Sequence, residues 1–169
     1  EVKVPVKVIW TREDDMKGGY YRPAYLHKVE AGVDAAGKVV GWDHHVVGNS
    51  ILAGTPFAAF MVNDGIDITS VEGIVDTPYA LPNFQCALST PAKTVTSLWW
   101  RSVGHTHTAF VMETMIDELA AAAKTDPVAF RKALLGKHPR VLRALELVAE
   151  KSGWGKPAPA GRARGVAVH

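Results

Sequence analysis

In "EVKVPVKVIWTR", Val2, Val4, Val6, Val8 and Trp10 share one parity while Lys3, Pro5 and Lys7 take the other. That period of two predicts a half-buried strand with an edge position at Pro5. "REDDMKGGYYRPAY" reads as an acidic short turn of helix at best, then a loop punctuated by Gly18, Gly19 and Pro23. Two further strands, "YLHKVEAGVD" and "KVVGWDHHVVGN", are joined by "AAGK", where Gly37 can take the positive φ of a short hairpin loop. Together these predict a three-stranded meander. "TPFAAFMVNDG" predicts a short helix, capped by Thr55, with Pro56 in its first turn and Gly65 just past its end. "PYALPNFQCALST" is extended.

From there the apolar period lengthens. Positions 112, 115, 116, 119, 120 and 123 mark a core-facing helix over residues 108 to 123. "TDPVAFRKALLG" restarts with Asp126 as cap, Pro127 in the first turn and Gly136 as stop. "PRVLRALELVAEKSG" predicts a third helix burying Val141, Leu142, Leu145, Val148 and Ala149, and a Pro- and Gly-rich connector leads to a final strand, "GVAVH". The fold class expected is α+β: antiparallel strands in the N-terminal half packed with helices from the C-terminal half, one unit over residues 1–169.

Composition narrows the function classes. Nineteen lysines and arginines against 17 acidic residues leave a formal charge of +2, which gives no electrostatic reason to expect nucleic acid. Cys86 is the only cysteine, so the chain has no intramolecular disulfide and no Cys-rich metal site of its own. No stretch approaches the roughly 20 apolar residues of a membrane span. Strand patterns at both ends would be edges in need of partners, so the chain is expected to be a piece of something longer.

Several residues could carry chemistry. His105 and His107 stand two apart and would share one side of an extended segment, as joint ligation of zinc or copper requires; a helix start capped by Thr106 or Thr108 would spread them instead. His44 and His45, adjacent in a strand, face opposite ways. Glu113 and Asp117 lie four apart on a helix face, with Arg131 or Arg101 as the expected partner in a structural ion pair. Arg12, beside Glu13, Asp14 and Asp15, reads as a solvated or locally paired charge rather than a catalytic one. Arg101 is different in kind. Set between Trp100 and Gly104 ahead of a helix, its planar fork of donors suits an anion held jointly with free backbone N–H groups, the alternative being an arginine stacked on the tryptophans.

"PVKVIWTREDDM", "VVGNS", "DTPYALPNFQC" and above all "WWRSVGHTHTAFVMETMIDELAAAAKTDPVAFRKALL" resemble the molybdenum-binding large subunit of the xanthine dehydrogenase and aldehyde oxidase family. The similarity is to the branch typified by the isoquinoline 1-oxidoreductase beta subunit and membrane-associated aldehyde dehydrogenases. The resemblance implies a fragment of a molybdenum-cofactor-binding domain, with the loop of Trp100, Arg101, Ser102, Val103 and Gly104 beside a molybdenum-molybdopterin cofactor. It implies a parent oxidoreductase that hydroxylates an aldehyde or N-heterocycle with water-derived oxygen, partnered by an iron-sulfur small subunit and by the remaining segments of the large subunit. Val103 stands where xanthine dehydrogenases carry an aromatic, and "TSVEGIVD" offers no substrate-orienting arginine, so a pocket for something other than purines is expected. The family's glycine-rich cofactor motif and catalytic glutamate have no counterpart in these residues. The chain alone is therefore expected to be inactive and to hold no cofactor or metal, and relatives of the branch point to a periplasmic or membrane-associated parent. The alternatives are an autonomous non-catalytic module that binds a ligand or partner, and a small metalloprotein using His105 and His107.

Overall fold

The computed structural model describes residues 2–92 and 95–169. Its core grows from one hairpin, β1 (Tyr25–Val33) against β2 (Val39–Gly48), antiparallel from Tyr25 opposite Gly48 to Gly32 opposite Gly41. Inward positions alternate with outward ones as the sequence pattern requires: His27 and Val29 are less exposed than Leu26, Lys28 and Glu30, and Trp42, His44 and Val46 are buried while Asp43 and His45 are not. The turn is closed by the Asp34 side chain, which accepts from the N–H groups of Ala36 and Lys38, and Gly37 takes φ +77° as expected.

The third strand is not the one the N-terminal alternation predicts. Residues 2–10 form no strand, and Val2, Val4, Val6, Val8 and Trp10 are 63–73% exposed. A period of two supplies a face but no partner, and among the described residues nothing pairs with it. The sheet is completed by β5 (Phe84–Ser89), which joins β2 in parallel, Trp42 opposite Phe84 through Val47 opposite Ser89. A parallel neighbour needs a long crossover. It holds a four-residue helix α2 (Ala58–Met61), a two-residue ladder of β3 (Val62–Asn63) with β4 (Ile66–Asp67), and a 3-10 turn at Ile68–Ser70. Thr55 closes a turn ahead of α2 rather than capping it: its hydroxyl donates to the Leu52 carbonyl and accepts from the Phe57 N–H.

The acidic stretch forms a complete short helix, α1 (Arg12–Gly18), because Thr11 and Asp14 make a reciprocal capping box. Helix α3 (His105–Ala122) lays Met112, Ile116, Leu119 and Ala120 into the core with Trp42, Val46 and Ile74. Asp126 caps α4 (Pro127–Leu134) through the N–H groups of Val128 and Ala129. Helix α5 (Pro139–Ser152) buries Leu145 fully, and Val141, Leu142 and Ala149 pack at the core's margin, but Val148 is 52% exposed. "GVAVH" is not a strand either; Val166 and Val168 rest on the core without sheet pairing. The class is α+β, strands first and helices after.

One polar cluster ties the helices together. Arg131, fully buried, donates to the Glu113 carboxylate from Nε (3.0 Å) and Nη2 (2.9 Å) and to Asp117 from Nη1 (2.6 Å). The Tyr79 hydroxyl and the Val168 N–H also donate to Glu113. The expected structural ion pair is thus present, with Arg131 rather than Arg101 as the partner. Burial disfavours the guanidinium charge, but Asp117, Tyr79 and Glu113 outweigh it and hold Arg131 more firmly protonated than usual.

Candidate functional site

The loop ahead of α3 is clamped at both ends. On entry, Tyr21 bonds through its backbone to Thr96 and Leu98, 3.0 and 3.1 Å. Trp99 then meets the Phe57 ring edge-on at 5.6 Å, and the Arg22 guanidinium lies 5.3 Å from the centroid of Trp100. The cation on the tryptophan is therefore Arg22, not Arg101. Arg22 does not stand out in the sequence, although its place after two tyrosines and before Pro23 is an aromatic context of the kind that attracts a guanidinium.

At the tip, the Val103 N–H returns to the Trp100 carbonyl at 3.0 Å, and Ser102 and Val103 sit at φ +73° and +43°. Left-handed backbone at two non-glycine residues, one of them β-branched, costs on the order of 1–3 kcal/mol each and persists only where the surroundings impose it. They do. The Gly104 N–H donates to the Glu72 carboxylate at 3.0 Å, the Thr106 hydroxyl to the Arg101 carbonyl at 2.8 Å, and the Thr108 hydroxyl to the Glu72 carbonyl at 2.8 Å. Neither threonine caps α3. Gly104 has ordinary helical φ, −63°, yet a Cβ there would collide with the Thr69 carbonyl oxygen and lie 2.8 Å from the Glu72 Cβ. The close approach that calls for glycine is thus made by the chain itself.

Arg101 is exposed, and its side chain makes no hydrogen bond or ion pair among the described residues. The N–H groups of Arg101 and Ser102 likewise find no acceptor there. The loop combines an uncommitted cation, unpaired backbone donors and a strained, internally braced turn, a donor set that fits an anionic oxygen-rich ligand.

Behind the loop, His105 and His107 part company, as a helical start requires. The His105 Nδ1 lies 2.6 Å from the His169 Nε2, and its Nε2 lies 3.8 Å from Glu72. His107 turns inward, stacks on Tyr25 with centroids 3.7 Å apart, and joins His27 and His44 in one hydrogen-bonded file. Burial is the main cause lowering all three affinities for a proton: His27 falls below its ordinary value, His44 falls to about 4, and His107 to about 3. Of His44 and His45, His44 is the one that faces inward, on the side of Trp42. His27 escapes sequence reasoning, its period-two position with Tyr25 and Val29 being the available signal. His45 faces out and bonds to Ser89. No set of three His, Cys, Asp or Glu side chains among the described residues is grouped to hold a metal ion.

An α+β unit whose longest helix is preceded by a braced loop bearing an exposed arginine is the class that fold and site define. Comparison with known proteins gives the family. Residues 1–135 match the molybdopterin cofactor-binding domain, and the chain belongs to that family, related to the xanthine dehydrogenases and aldehyde oxidases. It is 33% identical over 151 residues to the beta subunit of isoquinoline 1-oxidoreductase from Brevundimonas diminuta, covering 88% of this chain and 19% of that protein. It is 28% identical over 163 residues to the B subunit of nicotinate dehydrogenase from Pseudomonas putida, covering 90% and 13%. A membrane-bound aldehyde dehydrogenase [pyrroloquinoline-quinone] of Gluconacetobacter polyoxogenes is 28% identical over 194 residues, covering 97% and 24%. Among solved structures, the aldehyde oxidoreductase of Desulfovibrio gigas shares the fold with a TM-score of 0.62 at 17% identity, covering 88% of this chain and 18% of that one. The chain spans between about an eighth and a quarter of the length of these curated relatives.

Proposed function

We propose that this chain is one segment of the cofactor-binding large subunit of a molybdenum hydroxylase, and that Trp100, Arg101, Ser102, Val103 and Gly104 form one wall of the cofactor site. The observation that carries this reading is the uncommitted Arg101 guanidinium on a strained turn whose bracing comes wholly from within the chain. When bound, molybdenum-molybdopterin supplies the redox chemistry by which an aldehyde or N-heterocycle gains a water-derived oxygen. The chain's own residues bind and orient: Arg101 offers a planar charged fork, the N–H groups of Arg101 and Ser102 add neutral donors, and Trp100 with Arg22 screens the site from one side. Gly104 acts indirectly, by letting the turn close onto Thr69 and Glu72.

The isoquinoline and nicotinate enzymes among the relatives support an N-heterocycle as substrate, and the Gluconacetobacter relative, itself named for a different cofactor, supports an aldehyde. Val103 in place of a flanking aromatic supports a pocket not shaped for purines. The parent is assigned an iron-sulfur small subunit as electron outlet, the remaining large-subunit segments as co-builders of the site, and a periplasmic or membrane-associated location, for which the membrane-bound relative is the support. With so little of its relatives' length, the isolated chain lacks most of the contacts that would hold a cofactor; a loss of about 4 kcal/mol already weakens binding roughly a thousandfold. It is expected to be inactive alone. Replacing Arg101→Ala in the intact enzyme should lower molybdenum per large chain, measured by elemental mass spectrometry, with dye-reduction activity falling in step. Unchanged metal content and turnover would remove the loop from the site.

A further inference from the structure

Three imidazoles stand in an unbroken file beneath this loop. His44 Nε2 lies 2.8 Å from His27 Nδ1, and His27 Nε2 lies 2.9 Å from His107 Nδ1. The rings come from β2, β1 and the first turn of α3. A neutral imidazole carries one N–H, so the central ring must donate through one nitrogen and accept through the other. Both bonds then run in one direction. Either every ring is protonated at Nε2 or every ring is protonated at Nδ1.

The ends of the file decide between them. His44 Nδ1 and His107 Nε2 are buried with no hydrogen-bond partner among the described residues, and so is the Trp42 indole nitrogen, on the same strand face with its ring centroid 6.2 Å from that of His44. An indole N–H can only donate. The Nδ1 form would leave two unpaired buried donors, on rings whose centroids are 6.2 Å apart; the Nε2 form leaves one donor and one acceptor there. The second arrangement is the favourable one, and it makes the far end, His107 Nε2–H, a donor. His107 lines a cavity of about 90 Å³ with Arg22, Tyr25, Trp99, Val103 and Thr106. At roughly 30 Å³ per water, that holds about three waters or one very small organic molecule.

We propose that His44, His27 and His107 form a single-polarity hydrogen-bond relay whose donor end is the buried His107 Nε2–H at the wall of this cavity, and that uncovering this N–H makes the cavity a subsite for a small neutral guest with an accepting oxygen, a carbonyl compound or water. Arg22 on the cavity wall reinforces the preference for an acceptor. The tautomer assignment is independent of the molybdopterin reading, since every donor and acceptor in the file belongs to this chain, whereas the cavity shares Arg22, Trp100 and Val103 with the proposed cofactor wall.

Long-range 1H–15N spectra of the labelled 169-residue chain above pH 7 test the polarity. All three rings should be protonated at Nε2. His27→Leu, which removes the central donor and acceptor, should turn His107 into a tautomer mixture, while His27→Gln, which keeps one of each, should preserve the single form. Protonation at Nδ1 in His107, or an unchanged pure tautomer in His27→Leu, overturns the proposal; if that variant does not fold, the tautomers of the unsubstituted chain and of His27→Gln still decide. Acetamide tests the guest. A saturable shift at His107 Nε2 that weakens at least tenfold in Ile51→Phe, which enlarges a side chain lining the cavity, identifies a carbonyl site. Cross-relaxation to bound water without an acetamide response identifies a water site. Absence of both signals overturns the subsite.

Discussion

Replacing Arg131→Met keeps the aliphatic volume of the side chain and removes its charge and all five of its hydrogen bonds, to the Glu113 carboxylate twice, to Asp117, and to the carbonyls of Glu113 and Pro127. Asp117 is half exposed and can turn to water. Glu113 cannot: its side chain is 8% exposed, and only the Tyr79 hydroxyl and the Val168 N–H would remain to it. Stranding one partner of a buried pair costs about 3–5 kcal/mol, because the surviving charge stays desolvated. With a urea slope on the order of 2 kcal/mol per molar, the unfolding midpoint followed by tryptophan fluorescence should fall by about 2 M at unchanged slope. The double variant Glu113→Gln/Arg131→Met removes the stranded charge, so it should be more stable than Arg131→Met alone by at least about 1.5 kcal/mol. A single-variant loss below about 1 kcal/mol, or a double variant no better than the single, would refute the view that burial of an unpaired carboxylate sets the cost.

Two further outcomes follow from the site. The histidine file is neutral in the fold with proton affinities pushed below the ordinary value of about 6.5. Its contribution is therefore complete above that pH and lost as pH falls toward about 4 for His44 and about 3 for His107. Each neutral ring gives a slope of about 1.4 kcal/mol per pH unit, so about 2 kcal/mol per unit for these two after allowance for solvent screening. Urea midpoints between pH 6 and pH 4 should show it, and His107→Phe should roughly halve it; an equal slope in the variant would sink the assignment. Gly104→Ala pits helix propensity, which favours alanine by up to about 1 kcal/mol, against a Cβ driven onto the Thr69 carbonyl oxygen. Overpacking should win, with a net loss of about 1–3 kcal/mol; a stabilised variant in the same unfolding assay would show that the turn does not depend on that contact.

The helical half was legible because its signals are local. Asp126 before Pro127 and the spacing of Met112, Ile116, Leu119 and Ala120 each specify their element within one or two turns of chain. The strand half was legible only where both partners lie within a hairpin. Alternation in Val2 to Trp10 identifies an amphipathic segment without naming its neighbour, and the neighbour that β2 does take in parallel, β5, lies across a long crossover that no local pattern encodes. In the site, Arg101 stood out because arginine between an indole and a glycine is rare in a plain loop. Arg22, Glu72 and His27 did not, since their roles come from being brought to that loop from 32 to 80 residues away.

That distribution separates what the chain completes from what it leaves open. Its buried charged groups are partnered from within: Arg131 meets Glu113 and the half-exposed Asp117, and Asp67 receives the hydroxyls of Ser50 and Thr69. The loop that carries Arg101 is held by Glu72, Thr106 and the Tyr21 backbone, so its strained turn exists before any ligand arrives. Backbone donors fixed in advance lose little conformational freedom on binding, whereas the exposed Arg101 side chain would still have to order. In the proposed parent, the turn would therefore draw its bracing from this segment. If Arg101 depended on the remaining segments for its conformation, Gly104→Ala would alter molybdenum content no more than a remote destabilising substitution of equal cost. If the turn is shaped from within, the loss of metal should exceed that control.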